Sequence, residues 1–298
     1  MPIWRRVVRD RWIYFMLLPG LLYFLMFRYV PMLGLVIAFQ DYNPFLGFTG
    51  SEWLGFEHFS RLFHEETFWM LFRNTVVLFL LTLIFVFPVP ILLSLMLNEV
   101  RNGLLKRSLQ TVVYVPHFFS WAIIVSITSL LLTTEGGAVN ALIEKLGGEP
   151  ISFMLSQSWF RPVYIVQNIW QSTGWGTIIY LAALSGVDPH LYEAARMDGA
   201  SRLRQVWHIS LPAIRNVVII MLILKLGDVL ELGFDQIYLM VNSMNREVAE
   251  VFDTYVYRVG ILGGQFSYST AVGLFKSTVG LILVLIANRG ARKFDGGL

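Results

Sequence analysis

Residues 193–212 read EAARMDGASRLRQVWHISLP, a polar and alanine-rich stretch between two long apolar segments. Just before it, Asp188 and Pro189 predict the start of a helix, with aspartate as the N-cap and proline in the first turn. Gly199 predicts the end of that helix, because glycine tolerates the left-handed conformation of a C-terminal cap. The stretch therefore opens with a short helix that stops at a glycine.

A second short helix is predicted after the glycine. Ser201 can cap its first turn, and Leu211-Pro212 predicts a bend into the next apolar segment. The positions of one of its faces recur with a loose helical rhythm, three of them apolar and the last a serine: Leu203, Val206, Trp207 and Ser210. The whole loop, residues 186–213, is thus expected to be two helices that meet at a glycine elbow.

The first of these helices carries a nearly bare backbone at Ala194 and Ala195, surrounded by the charges of Glu193, Arg196 and Asp198. Small residues allow another surface to approach closely, so we expect a knob that inserts into a groove of a soluble partner. The alternative is an amphipathic loop that lies on lipid headgroups without any partner.

The composition outside this loop indicates a membrane protein. The 298 residues are 56% hydrophobic and only 14% charged, whereas a soluble domain has about 25% charged residues. The absence of cysteine excludes disulfides, thiolate metal sites and a cysteine nucleophile. Apolar runs long enough to cross a bilayer predict an all-α fold with six transmembrane helices: 13–39, 74–97, 111–133, 161–184, 214–241 and 269–289.

The distribution of positive charge predicts the orientation. Fourteen Lys and Arg residues fall on the side of the termini and of the 186–213 loop, and six fall on the opposite side. Because positive charge is retained in the cytoplasm, both termini and this loop are expected to be cytoplasmic. The connections on the other side are shorter than the roughly 50 residues of an independent domain, so residues 1–298 are predicted to form a single transmembrane domain.

Two polar stripes are candidates for a substrate path. On the fourth predicted span, four residues share one helical face and offer amides that bind hydroxyl groups and aromatic rings that stack on apolar faces: Tyr164, Asn168, Gln171 and Trp175. Asparagine and glutamine also hold membrane helices together, and that interpretation is equally open.

The second stripe lies on the fifth predicted span, with Lys225, Asp228, Glu231 and Asp235 on one face. Charges are too costly to face lipid, so they are expected at a cavity or at the interface with a second membrane subunit, with Lys225 and Asp228 forming an ion pair. The acidic excess mildly disfavours an anionic cargo. Lys276 is expected to snorkel towards the membrane surface.

Two further features bear on the flexibility of the spans. Pro88 and Pro90 predict a kink in the second span, and Gly174 and Gly176 could loosen the fourth.

The loop resembles a known signature. Glu-Ala-Ala, then Gly199 after three residues, then Ile209-Ser-Leu211-Pro212 after nine more match the EAA motif of the membrane subunits of binding-protein-dependent ABC importers. Residues 116–124, 168–200 and 233–277 are also similar to carbohydrate permeases, especially the LplB-like group associated with polysaccharide and oligosaccharide import. Unlike the large maltose-type subunit, this chain shows no extra N-terminal spans and no large extracellular insertion.

This resemblance implies a type I ABC importer permease fold in a bacterial cytoplasmic membrane and half of a path for an oligosaccharide. The implied partners are a second homologous permease, two ATP-binding subunits, an extracellular solute-binding protein and membrane lipid, with no nucleic acid. The chain has no GxxxxGK[ST] phosphate loop, so ATP and Mg would be bound by the partner subunits and no cofactor or metal by this chain. The implied coupling residues are Glu193, Ala194, Ala195, Arg196, Asp198 and Gly199.

Two other classes of protein agree less well with the sequence. An intramembrane enzyme could use the fifth-span carboxylates, but the five histidines are scattered and form no HExxH motif. An ion-coupled secondary transporter or channel would account for the buried charges, but it gives no reason for the loop signature.

Overall fold

The computed structural model describes residues 10–292, with side chains to residue 289. The predicted charges of Arg5, Arg6, Arg9 and Lys293, the side chain of Arg292 and both chain ends lie outside this description. The chain divides into two compact units. One contains residues up to 64 together with 256–275, and the other contains residues 65–255 together with the segment from 276 onward.

The first unit begins with a long helix, α1, at Arg11–Phe39, whose last turns are 3-10 helix. A short antiparallel pair follows, in which Gln40 of β1 faces Trp53 of β2. The elements of this unit after α1 are β1 (Gln40–Asp41), α2 (Gly47–Gly50), β2 (Glu52–Trp53) and α3 (Glu57–His64). The guanidinium of Arg61 lies 4.2 Å from the centre of the Tyr268 ring, so α3 is held by a cation–π contact.

The second unit is a bundle around one 29-residue helix, α8, at Gln157–Ser185. The elements before it are α4 (Glu66–Glu99), α5 (Gly103–Tyr114), α6 (Trp121–Leu132) and α7 (Ala138–Lys145). The elements after it are α9 (Pro189–Met197), α10 (Arg202–Gly227), α11 (Phe234–Met240), α12 (Arg246–Ala249) and α13 (Phe252–Val256). The last helix, α14 (Phe266–Arg292), begins in the first unit and ends in the second.

Four helices of the described residues are long and apolar enough to cross a membrane, namely α1, α4, α10 and α14 up to Arg289. The third predicted span, 111–133, is not a straight helix. The segment Gly103–Phe118 meets α6 at an angle of 101°, because Pro116 and the 3-10 turn at Val115–Phe118 interrupt the helix.

The fifth predicted span, 214–241, is wrong as a continuous helix. α10 ends at Gly227, and six residues without helical structure separate it from α11. Gly233 occupies the left-handed region at φ +74° in this break, a conformation that a side chain would disfavour.

Proline residues account for three irregular turns in the long helices. π-turns at Leu25–Tyr29, Thr82–Val86 and Val206–Ser210 each end two residues before a proline, namely Pro31, Pro88 and Pro212. Proline cannot donate to the preceding turn and clashes with it, and a widened turn relieves that clash. The irregularity predicted for the second span from Pro88 and Pro90 therefore takes the form of a π-turn.

Gly174 and Gly176 do not loosen α8, which is continuous through both. Instead, a Cβ at Gly174 would collide with the backbone of Val113 in α5, and one at Gly176 would lie 2.9 Å from Pro90 in α4. These glycines allow neighbouring helices to approach closely, as small residues do in membrane bundles. This packing role of Gly174 and Gly176 was not predicted from the sequence.

Candidate functional site

The helix caps predicted for the 186–213 loop are confirmed. The Asp188 side chain accepts a hydrogen bond from the His190 amide at the start of α9, and Ser201 accepts one from the Arg204 amide at the start of α10. At the elbow between them, Gly199 has φ +74°.

The end of α9 is a Schellman motif. The amide of Ala200 donates to the carbonyl of Ala195 over 2.9 Å, and the amide of Gly199 donates to Arg196 over 3.1 Å. This pattern needs a left-handed residue between the two helices, which explains the glycine at this position.

The bend predicted at Leu211-Pro212 is wrong, because α10 runs without interruption from Arg202 to Gly227. The π-turn at Val206–Ser210 supplies the room that Pro212 needs. The second loop helix is thus the first part of a long membrane helix, and a displacement of the loop would act directly on α10.

Two side-chain contacts hold the short helix and the elbow against the long helix. The hydroxyl of Tyr192 lies 2.9 Å from that of Ser210, and the side-chain amide of buried Gln205 donates to the Ala200 carbonyl over 2.9 Å. Below them, a buried cluster of Leu95, Tyr180, Leu184 and Ile214 joins α4, α8 and α10. The loop is therefore held firmly by the bundle.

The residues predicted to dock a partner lie at the surface. Five are exposed and Ala195 is half-buried: Glu193, Ala194, Ala195, Arg196, Asp198 and Gly199. Large apolar side chains are exposed beside them, including Met197 at 88% and Leu203 at 74%. Leu191 and Trp207 are exposed as well. An apolar patch of this kind on a polar loop indicates an interaction surface, and the sequence analysis did not assign Leu191 and Met197 to it.

The stripe predicted on α8 is brought to one helical face but divides into two parts. In the first part, Tyr164 is 2% exposed and donates from its hydroxyl to the Leu232 carbonyl over 3.2 Å. Asn168 donates to the side-chain oxygen of Gln236 over 2.6 Å. These two residues hold α8 to the broken fifth span, and the structure supports helix–helix contact over path lining for them.

Gln236 is the centre of this network and was missed by the sequence analysis. It is 1% exposed, and its side-chain amide donates to the Tyr164 carbonyl and to the Oε1 atom of Gln167. The signal that could have identified it is a glutamine within the apolar run that follows Gly233. The hydrogen bond from Tyr164 satisfies a carbonyl that the helix break leaves free, as required at membrane depth.

In the second part of the stripe, Trp175 is 54% exposed although it lies in the middle of α8. The ring of His117 stacks on it, with centroids 4.8 Å apart and an interplanar angle of 10°. Gln171 is half-buried, and its side chain makes no hydrogen bond to any residue within 10–292.

The charged stripe predicted on the fifth span does not form a helical face. Asp228 caps the end of α10, Glu231 lies in the break, and Asp235 lies in the first turn of α11. All three are exposed. Lys225 and Asp228 are joined through the backbone, since the Asp228 amide donates to the Lys225 carbonyl. Their predicted side-chain ion pair is absent from the described part of the chain.

Lys276 does not snorkel as predicted. Its ammonium group forms an ion pair with the Oδ1 atom of Asp253, and the two side chains are only 12% and 23% exposed. Within residues 10–292, no cluster of three or more His, Asp or Glu side chains could hold a metal ion.

The fold defines a polytopic helical membrane protein, and side-chain hydrogen bonds hold the 186–213 loop against its bundle. The model of the binding-protein-dependent transport system inner membrane component family matches residues 86–295. The chain belongs to this family. It is accordingly a membrane transport component and not an enzyme, and ATP hydrolysis is carried out by separate subunits.

Two proteins of Bacillus subtilis (strain 168) are similar over nearly the whole chain. The polygalacturonan/rhamnogalacturonan transport system permease protein YteP is 62% identical, covering 97% of this chain and 90% of that protein. Protein LplB is 58% identical, covering 96% of this chain and 90% of that protein.

A solved structure has the same fold. A chain of a bacterial ABC transporter that imports the acidic polysaccharide alginate superposes with a TM-score of 0.92 at 40% identity, covering 98% of this chain and 99% of that one. A second structure contains the alginate transporter in complex with a periplasmic protein bound to an alginate pentasaccharide, again with a TM-score of 0.92.

Proposed function

We propose that this chain forms half of the membrane path for an oligosaccharide derived from an acidic polysaccharide. The second half comes from a homologous permease, and a solute-binding protein delivers the cargo from outside the cell. Two ATP-binding subunits, which hold ATP and Mg, drive the import. The observation that carries this proposal is the rigidly mounted 186–213 loop, which we name the coupling loop.

The coupling loop suits a mechanical role because one side of it is free to bind a partner and the other side is bonded to a membrane helix. Its exposed side offers Ala194, Gly199 and the apolar side chain of Met197 to a partner. Its inner side is bonded through Tyr192 to Ser210 and so to α10. A movement of the exposed side would therefore be transmitted directly to α10, because no flexible linker separates the two.

The cargo class is supported by the relatives. YteP is described as a polygalacturonan and rhamnogalacturonan permease, and the structural neighbour imports alginate, which is acidic. The three exposed carboxylates at Asp228, Glu231 and Asp235 would disfavour an anion if they lined the path alone. We therefore place them at or near the contact with the second permease, where its cations can balance them.

We also propose six membrane crossings with both ends in the cytoplasm. Four come from the apolar helices, and the bent pair around residues 119–120 supplies a fifth. The sixth is α8, whose 29 residues reach about 43 Å at 1.5 Å per residue. α8 is more polar than the other spans because it contacts the bent third span and the broken fifth.

The experiment is to reconstitute this chain in proteoliposomes together with the second, homologous permease, the ATP-binding subunits and the binding protein. We expect vanadate-sensitive ATP hydrolysis that the loaded binding protein stimulates, together with uptake of oligogalacturonate. Uptake driven by an ion gradient without ATP would overturn the proposed mechanism. Transport of a non-carbohydrate solute, with oligosaccharides inactive, would overturn the cargo.

A further inference from the structure

The face of α8 that carries Trp175 continues to the C-terminal end of the helix at Ser185. Gln171, Trp175, Ile178, Ala182 and Ser185 follow one another at spacings of four, three, four and three, which keeps them on a single helical stripe. None of them is buried. The Tyr164 end of the stripe is closed by the Gln236 network, whereas this end remains open.

α5 faces this open end. Lys106, Gln110 and Tyr114 recur every four residues and share one side of α5, and all three are half-buried. Near the C-terminal end of α5, Gly174 of α8 allows the backbone of Val113 to approach closely.

A cavity of about 410 Å³ lies between the two helices, and its lining combines polar and apolar groups. This volume falls in the usual range of about 300–1,000 Å³ for small-molecule sites. Its polar lining contains an ammonium, two amides, a phenol and a hydroxyl, contributed by Lys106, Gln110, Asn98, Tyr114 and Ser185. Amides and hydroxyls both donate and accept hydrogen bonds, as sugar hydroxyls do.

The third span bends just above this cavity. Its residues 115–120 lack regular α-helix, and irregular backbone at membrane depth is tolerated where it is covered by protein or lines a water-filled space. At this bend, His117 covers one face of Trp175, yet more than half of the Trp175 side chain stays exposed. An indole held in this way offers a fixed apolar surface on which a sugar ring can stack.

We propose that the cavity between α5 and α8, lined by Lys106, Gln110, Tyr114 and Ser185, forms an oligosaccharide subsite on the loop-facing half of the path together with the His117–Trp175 stack, which lies about one turn of α8 before Ile178. A sugar ring stacks on Trp175, and the next ring hydrogen-bonds to Gln110 and Tyr114. Lys106 pairs with a uronate carboxylate at the mouth of the cavity. This inference rests on the proposed function.

The absence of native cysteine allows a direct test. Gln110→Cys lies in the cavity, and Leu109→Cys is its matched control, one residue away on the exposed side of the same helix. Each variant is assembled into the full complex in nanodiscs of neutral lipid and treated with a charged, membrane-impermeant thiol reagent. The rate of modification of this chain is measured with and without millimolar trigalacturonate or maltotriose.

We expect trigalacturonate to slow modification of Gln110→Cys several-fold and maltotriose to slow it less, while neither sugar affects Leu109→Cys. Adding Lys106→Gln to the Gln110→Cys variant should remove the difference between the two sugars. Lack of protection in a complex that imports oligogalacturonate would overturn the subsite and leave the proposed function intact. In a parallel set of nanodiscs that contain anionic lipid, protection by that lipid and not by sugar would identify a headgroup site and also overturn the subsite. Failure of the native complex to import any oligosaccharide would instead count against the proposed function.

Discussion

The side-chain amide of Asn168 donates to Oε1 of Gln236 over 2.6 Å, and this bond joins α8 to α11, the helix after the break in the fifth span. The same Gln236 donates to Gln167 and to the Tyr164 carbonyl. A broken membrane helix exposes backbone groups that must find partners within the protein. The break is therefore stabilised by α8 and not by its own local sequence.

We predict that Gln236→Leu destabilises the protein by about 1–3 kcal/mol, because it leaves the buried Oε1 atom of Gln167 without its hydrogen-bond donor and removes the bond from Asn168 to α11. The control is Gln171→Leu, which removes an amide that makes no hydrogen bond within the described residues. Thermal unfolding of the purified complex should show a lower Tm for Gln236→Leu alone. Equal Tm values for the two variants would contradict a structural role for the network.

Gly199 should tolerate asparagine better than valine. A Cβ at this position would meet no atom of the chain within 4 Å, but φ is +74°, a conformation that costs most residues about 1–2 kcal/mol and that asparagine visits more easily. We expect Gly199→Val to uncouple ATP hydrolysis from uptake in proteoliposomes and Gly199→Asn to retain most of the coupled uptake. Normal coupling by the valine variant would show that the elbow does not set the docking geometry.

Gly174→Ala should weaken the contact between α5 and α8. The added methyl group would collide with the Val113 backbone, and overpacking of this kind costs about 1–3 kcal/mol. Gly20→Ala is the matched control, since its methyl group would meet no atom within 4 Å in α1. Unfolding monitored by circular dichroism in detergent should show a loss for Gly174→Ala only, and a comparable loss for both variants would contradict the proposed close approach.

The sequence predicted the features that depend on neighbouring residues. The caps at Asp188 and Ser201 and the elbow at Gly199 need only a side chain and the next few amides. The fifth span was predicted as one helix from its apolar run, and the helical spacing of Asp228, Glu231 and Asp235 agreed with that prediction, although the helix ends at Gly227. Their periodicity could not reveal that distant residues of α8 stabilise a non-helical backbone there.

The two glycines of α8 illustrate the same limit. Sequence alone gives Gly174 and Gly176 the freedom to bend, whereas the structure uses their lack of a side chain for close contact with α5 and α4. Which use prevails depends on the helix that packs against them. Likewise, the stripe on α8 was predicted as one surface, but its division into a bonded part and an open part depends on Gln236, 68 residues from Asn168.

The last prediction concerns Lys276 and Asp253, an ion pair between largely buried side chains. Removing one partner of such a pair costs about 3–5 kcal/mol because the other charge is left uncompensated, while replacing both by apolar residues is often nearly neutral. We therefore expect Lys276→Met and Asp253→Leu to lower the Tm strongly and the double variant to recover most of the loss. Lys145→Met, at an exposed position, should change stability by less than about 0.5 kcal/mol. Additive losses in the double variant would show that the two charges do not stabilise each other and would support separate partners for each.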